Sequence, residues 1–564
     1  MPCNCSRCQA QRNFCQCAPV RTEDVTALFL SGDLPIQPSG IRALPTAKLQ
    51  LPGYPNKNLT AEITALVDGL FAPVETSQST TTDSEGYFEL EMPEGTRYIH
   101  FRLLFNSAGV RMEAHCFEPQ GTLGIWDDSG DLRLRAALLR ADRFSVDTSA
   151  ADHVGAKQQL GPCRTSRAQG IVRAAIYEAI NSISPHSVSK FNVAPAPASA
   201  SLEAAIAQAM HDSLLWLYSA QSASLADELA ADLATVQTGF RKTQGIAAGA
   251  AAAATVIAAR AGDGGNSYVE QTWVDFYTTE YGGNSNPSPP LWKQDPVSLS
   301  PIAMGSKWAD TVAPFVLSSA TQFSVDPPPD YLGPEFAQQM MEVAVLGGDV
   351  THTPTVRSED STEAGIFWGY DGSAVCAPSR MYSQVATQIA TCNAMPTWEF
   401  ARMLALLHIG MADVGIACWY YKYHYKLARP VTMIRDIGTD NPGFVGNPNF
   451  YPLGAPATGT GGNPFTPPFP ALPSGHASFG GFVFQLLRNL LGNDAIPFTF
   501  VSDEYNGIYR PWLPRSFCRL SQAEEENGQS RIYLGVHYNA DKTTGITLGT
   551  EISDYISSEL YQPI

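Results

Sequence analysis

The chain has 564 residues, 44% hydrophobic and 16% charged, with a formal net charge of −18 and a pI near 5.0. This composition excludes a disordered chain, and the length allows two or more domains of ordinary size. The acidic balance argues against a general affinity for nucleic acid or an anionic membrane surface, so an anionic substrate needs a local cationic pocket. Residues 1–23 read as a tail in which Cys3, Cys5, Cys8, Cys15 and Cys17 crowd together, five of the eleven cysteines. Thiolates at that spacing suit a soft metal such as zinc, yet the pattern fits no common zinc module, and disulfides or idle thiols are the plainer reading. The tail has no apolar run of signal-peptide type, and no clean apolar stretch of about 18 residues or more stands out elsewhere. The expectation is a soluble chain, cytoplasmic or exported by an unrecognised route.

Residues 24–130 favour strands and turns. In Thr80–Phe105, DSEG and PEG are turn signals, and Ile99, Phe101 and Leu103 alternate with Tyr98, His100 and Arg102. A small β-sandwich-like domain is expected, and TDSEGYFEL faintly resembles one hairpin of the transthyretin-like or carboxypeptidase-regulatory sandwiches. From residue 131 to 564 the pattern is mainly helical. Ser166–Ile183, Ser201–Gln237, Pro334–Leu346 and Trp398–Pro430 carry apolar residues at helical spacing, while Gly262–Pro334, rich in Gly, Pro, Asn and Ser, reads as long surface loops. The alanine-rich Gly245–Ala259 reads as a close-packed helix inside a bundle.

Three segments carry chemistry. In KYHYKLARP the seven-residue spacing brings Lys422 and Arg429 to nearly one helix face, with Lys426 close to it, and Pro430 disfavours helix just before itself. Cations near a helix C-terminus are also what the dipole favours, so this alone is not a site. In LPSGHASFGG, Pro473 and Ser474 start a helix, which leaves the amides of Gly475 and His476 free to bind an anion beside a histidine that can act as acid or base. In SRIYLGVHYNAD, Asp541 lies one turn after His537 if that part is helical, and can orient one ring nitrogen while the other stays free. Taken together, Lys422, Arg429, Arg531, a helix start and two histidines make a site for a tetrahedral oxyanion.

The order K-x6-RP, PSGH, SR-x5-H resembles the vanadium-dependent haloperoxidases and the related PAP2-type phosphatases, which share a helical-bundle site. IFWGYDGSAV, FARMLALLHIGMADVGIACW, LGAPATGTGGNPFTPPFPALPSGHASFGGFVFQ and SRIYLGVH are similar to the fungal chloroperoxidase branch, with the core of the resemblance at residues 366–541. It implies one vanadate per chain, with His537 as its ligand and Lys422, Arg429, Ser474, Gly475 and Arg531 holding its oxygens. His476 would be the acid/base, Asp371 would pair with Arg531, Asp541 would orient His537, and Trp419 and Phe469 would line the halide side. The implied reaction is oxidation of bromide, and of chloride, by hydrogen peroxide to hypohalous acid or its equivalent, which halogenates small organic acceptors. Algal bromoperoxidases tend to carry histidine where Phe469 stands, which leans toward chloride. No nucleic acid or membrane partner is implied, and a homo-oligomer is compatible with the pattern.

Two rival readings use the same residues. In a PAP2-type acid phosphatase His537 would be the nucleophile, Asp541 its orienting partner and His476 the acid for the leaving alkoxide; H-x3-D is typical of that branch. A binding or display protein with an inert helical region would be expected to have lost part of the three-segment pattern.

Overall fold

The computed structural model describes strand segments between Thr46 and Phe117, and residues 130–564 apart from 394, 438, 439, 461, 507 and 512. The cysteine-rich tail lies outside the described residues. The N-terminal strands are β1 (Thr46–Gln50), β2 (Asn58–Val67), β3 (Val74–Thr81), β4 (Tyr87–Glu91), β5 (Thr96–Phe105) and β6 (Arg111–Phe117). They form an antiparallel sheet of order β3-β2-β5-β6 and a two-stranded β1-β4 ladder. The alternation in β5 is matched in register: Ile99, Phe101 and Leu103 oppose Ala65, Ile63 and Ala61 on β2, and Cys116, Ala114 and Met112 on β6. Two expectations are corrected. A two-sheet sandwich is not supported, and TDSEGYFEL is not a hairpin, because β3 pairs with β2 while β4 pairs with β1.

The rest is mainly helical. The helices are α1 (Gly130–Val154), α2 (Pro162–Ile183), α3 (Leu202–Leu217), α4 (Ser222–Thr235), α5 (Phe240–Arg260), α6 (Trp273–Tyr281), α7 (Trp308–Thr311) and α8 (Pro334–Leu346). They continue as α9 (Glu359–Phe367), α10 (Pro378–Cys392), α11 (Thr397–Tyr425), α12 (Pro430–Asp436), α13 (Gly475–Leu491), α14 (Leu520–Tyr533) and α15 (Asn539–Glu559). Local chemistry sets many of the starts. Proline opens α2, α8, α10 and α12, where a missing N–H costs nothing. Ser201, Thr272, Ser358 and Ser474 cap α3, α6, α9 and α13 by accepting from backbone amides.

Helix α11 is the axis of the bundle, packed against α2 and α13. An 18-residue window of it is apolar enough to cross a membrane, which corrects the expectation that no such stretch stands out, and 94% of that window is buried inside the protein. The helix interior carries Asp413, fully buried, whose carboxylate accepts the amides of Phe315, Val316 and Leu317 at 2.6, 2.7 and 2.9 Å. The alanine-rich α5 is a close-packed bundle helix, as expected: a Cβ on Gly245 or Gly249 would stand 2.3 Å from a carbonyl oxygen of Ser201 or Ala205. The segment 262–334 departs from the surface-loop reading. Trp292 and Trp308, at 2% and 1% exposure, anchor it in the core, and it contains α6.

A buried polar hub ties four helices. Arg173 of α2 pairs with Asp142 of α1 at 2.5 Å, and Ser383 of α10 donates to Asp142 at 2.8 Å. Ser383 Oγ also lies 3.1 Å from His408 Nε2 of α11. Burial, followed by the Arg173 charge, lowers the His408 pKa from 6.5 to about 4. The unfolded chain therefore binds a proton between those values that the folded chain does not, so stability falls as pH drops through that window. Relative to His408→Asn, the protein should lose about 2 to 3 kcal/mol more between pH 7 and 4.5 in denaturant titrations. Equal pH dependence of the two proteins would remove His408 from the explanation.

Candidate active site

Helix α11 stops at Tyr425 because Lys426 takes a left-handed conformation, φ 49°, with its amide on the Lys422 carbonyl. Arg429 is therefore not on that helix. It stands in extended backbone as the cap of α12, as the following proline demands. The two cations meet because the chain turns back, which corrects the seven-residue periodicity argument. Lys426 leaves the site and pairs with Glu280 at 3.0 Å. Lys422 is fully buried, and its ammonium donates to the carbonyls of Pro470, Ala471 and Pro473 at 2.9, 3.0 and 2.5 Å. Burial lowers its pKa to about 7. Arg429 donates from Nε to Phe469 O and from Nη1 to Val536 O, each at 2.7 Å, and its buried Nη2 has no partner.

Ser474 caps α13, so Gly475 and His476 occupy the first turn, where amides have no acceptor within the helix. The His476 ring donates from Nε2 to Gly369 O at 2.7 Å. Burial, then the nearby Arg531 charge, lowers its pKa to about 3, so the ring is neutral with Nδ1 as its acceptor side. The His476 carbonyl is held by Tyr382 Oη at 2.8 Å and Asn527 Nδ2 at 3.0 Å. Gly369, Tyr382 and Asn527 were not found from sequence. They lie 107, 94 and 51 residues from His476, and no local pattern marks them.

Helix α15 begins at Asn539, so His537 precedes it, which corrects the expected one-turn helical pair. Asp541 is a capping residue: Oδ2 accepts the Tyr538 amide at 3.0 Å and His537 Nδ1 at 2.8 Å. Arg429 Nη1 lies 2.8 Å from His537 Nε2. A guanidinium only donates, so Nε2 is the lone-pair nitrogen and Nδ1 carries the proton. Burial, then the charges of Arg429 and Lys422, holds the His537 pKa far below its ordinary value, and burial lifts Asp541 to about 7. Arg531 donates from Nη2 to Asp371 Oδ2 at 2.7 Å, while its buried Nε and Nη1 have no partner.

These groups surround one narrow cavity, with Asp371, His476, Gly475, Arg531 and His537 in its wall. Trp419 and Phe469 close another side, their ring centroids 4.8 Å apart. Lys422 and Arg429 adjoin Phe469, Ser474 precedes Gly475, and Asp541 holds His537. Lys422 Nζ and Arg429 Cζ lie 5.1 and 5.0 Å from the Phe469 ring centre, so the ring faces two cations. An unsatisfied buried donor costs about 1–3 kcal/mol, more when charged. The unpartnered nitrogens of Arg429 and Arg531, beside an imidazole nitrogen that accepts from Arg429 Nη1, are a donor set that suits an oxyanion such as vanadate. Among the described residues no group of three or more His, Cys, Asp or Glu side chains could hold a metal cation.

Residues 402–563 match the family model of the VCPO second helical-bundle domain. Vanadium chloroperoxidase of Curvularia inaequalis is 34% identical over a stretch that covers 37% of this chain and 40% of that protein. The chain thus spans about 40% of the length of this curated relative. Among solved structures, a bacterial vanadium-dependent iodoperoxidase superposes with TM-score 0.59 at 21% identity, covering 75% of this chain and 96% of the other. A holo-type bacterial vanadium-dependent chloroperoxidase superposes with TM-score 0.53 at 15% identity, covering 71% and 92%. Sequence likeness over part of the chain, including residues 402–563, and likeness of fold over most of it thus both point to vanadium haloperoxidases.

Proposed function

We propose that the chain is a vanadium-dependent haloperoxidase that uses hydrogen peroxide to oxidise bromide, and chloride, to hypohalous acid or its equivalent, with one vanadate bound per chain. The observation that carries this reading is the set of unpartnered guanidinium nitrogens on Arg429 and Arg531 around the lone pair of His537 Nε2. Bound vanadate supplies a Lewis-acidic centre that activates peroxide toward halide. His537 offers Nε2, whose lone pair accepts from Arg429 Nη1, as its ligand, and Asp541 keeps the proton on Nδ1. Arg429, Arg531, the Ser474 hydroxyl and the first-turn amide of Gly475 neutralise the oxyanion. Lys422 supplies positive charge while pinning the segment that carries Phe469. His476, neutral and hydrogen-bonded through Nε2, presents Nδ1 as an acceptor at the acid/base position, and Asp371 fixes Arg531. Trp419 and Phe469 form the halide side, and an apolar Phe469 in place of an imidazole favours chloride. We read residues 1–23 as a tail, 24–130 as a strand-rich segment and 131–564 as the catalytic region.

One observation favours a phosphatase instead: the 2.8 Å His537–Asp541 contact would equally orient a nucleophilic imidazole. Reconstituting the apo-protein with orthovanadate and measuring bromination of monochlorodimedone with peroxide, beside p-nitrophenyl phosphate hydrolysis without vanadate, separates the two. Hydrolysis without halogenation would overturn the haloperoxidase reading. Asp541→Asn should weaken vanadate binding about 10–100-fold in equilibrium dialysis, as loss of an orienting partner does elsewhere.

A further inference from the structure

We infer that the turn Met304–Ser306, held in place by Glu270, positions the Trp419–Phe469 pair and so sets halide affinity; this rests on the haloperoxidase reading above. The turn touches three walls of the cavity. The Met304 amide donates to Pro468 O at 2.9 Å, next to Phe469. The Met304 carbonyl accepts Tyr423 Oη at 2.7 Å and Trp419 Nε1 at 3.4 Å. The Met304 thioether packs on Gly161, where a Cβ would come within 2.8 Å of its sulfur, and the next residue, Pro162, lines the cavity. Gly305 has φ +79° and lies so close to the indole that a Cβ would stand 2.3 Å from Trp419 Cδ1 and Nε1.

A turn of this kind needs an anchor, and Glu270 supplies it. Its Oε2 accepts the Gly305 amide at 2.6 Å and Tyr268 Oη at 2.8 Å. The neighbouring Gln271 accepts Ser306 Oγ at 2.6 Å, so two successive residues hold two successive positions of the turn. Neither Glu270 nor Gln271 bonds Arg429 or Arg531, and the cradle meets the aromatic wall at the Arg429 Nε–Phe469 O bond. Loosening the anchor should therefore move the Trp419 side of the aromatic wall, while Arg429 keeps Phe469 and the anion cradle in place.

The test compares Glu270→Ala with Glu270→Gln, which keeps an oxygen able to accept both hydrogen bonds. In the vanadate-loaded enzyme, Glu270→Ala should raise the KM for bromide about tenfold, a typical loss for a supporting contact, with the vanadate Kd changed less than about twofold and Glu270→Gln close to wild type. An unchanged KM, or a vanadate Kd that rises by the same factor, would overturn the inference. A second readout does not depend on turnover: iodide quenching of the Trp419 fluorescence, isolated by subtracting Trp419→Phe in each background, should increase in Glu270→Ala. If the wild-type protein oxidises no halide, the functional reading fails; unchanged quenching then removes the positioning role, and increased quenching retains it.

Discussion

His537→Ala should reduce halide oxidation to the background of free vanadate while the far-UV circular dichroism spectrum stays that of the wild type. The imidazole is 2% exposed and offers its lone pair beside two guanidinium groups with unspent donors. Alanine leaves the cations but removes the proposed bond to the central atom. Losing a partner of a ligand costs about 10–100-fold in affinity, so losing the ligand itself should exceed that range. The fold should survive, because the removed group makes two hydrogen bonds, and leaving their partners unpaired costs about 1–3 kcal/mol each, a local loss in a large core. Activity and vanadate binding by dialysis are the measurements. A variant that still halogenates after reconstitution would mean that the ligand is another residue.

The second large effect concerns stability. A Cβ on Gly549 of α15 would stand 2.1 Å from Ser478 O and 2.5 Å from Phe482 N on α13. Gly481 and Gly545 face the opposite helix in the same way, at 2.5 Å from Ile546 O and 2.8 Å from Ser474 O. Backbone atoms cannot rotate aside as a side chain can, so Gly549→Ala must separate the helices. The expected loss is about 3 kcal/mol, the upper end of overpacking costs, read as a lower denaturant midpoint. Vanadate affinity should fall as well, because Ser474 and His537 are carried by the starts of these two helices. Gly262→Ala is the control. Nothing lies within 4 Å of a Cβ there, and the change should stay within about 0.5 kcal/mol.

How much of this was legible in the sequence depends on the distance between partners. The helix start at Ser474 follows from a serine, a glycine and a proline within four residues, and the structure has it there. The Lys422–Arg429 and His537–Asp541 pairs were found, but through a helical spacing that neither pair has. In one, a left-handed Lys426 ends the helix first; in the other, Asp541 caps a helix that His537 precedes. Spacing of seven or four residues cannot tell a helical face from a turn that closes over the same length. The segment 262–334 was hidden for a different reason. Its glycines and prolines report backbone freedom, whereas its place in the fold comes from Trp292, Trp308 and the Met304 turn, whose partners are remote in the chain. The proposed β-sandwich failed similarly, since alternation identifies strands but not their neighbours.

The contact between α13 and α15 has a kinetic consequence. The Ser474 amide donates to the Asp541 carbonyl at 2.9 Å, directly above the glycine-lined contact of the two helices. The amides at the start of one helix and the imidazole just before the other are thus tied across one close helix contact. An oxyanion held from both sides leaves only when several contacts break together. The proposed vanadate should accordingly leave slowly, read as a long half-time of loss on dialysis of the loaded protein.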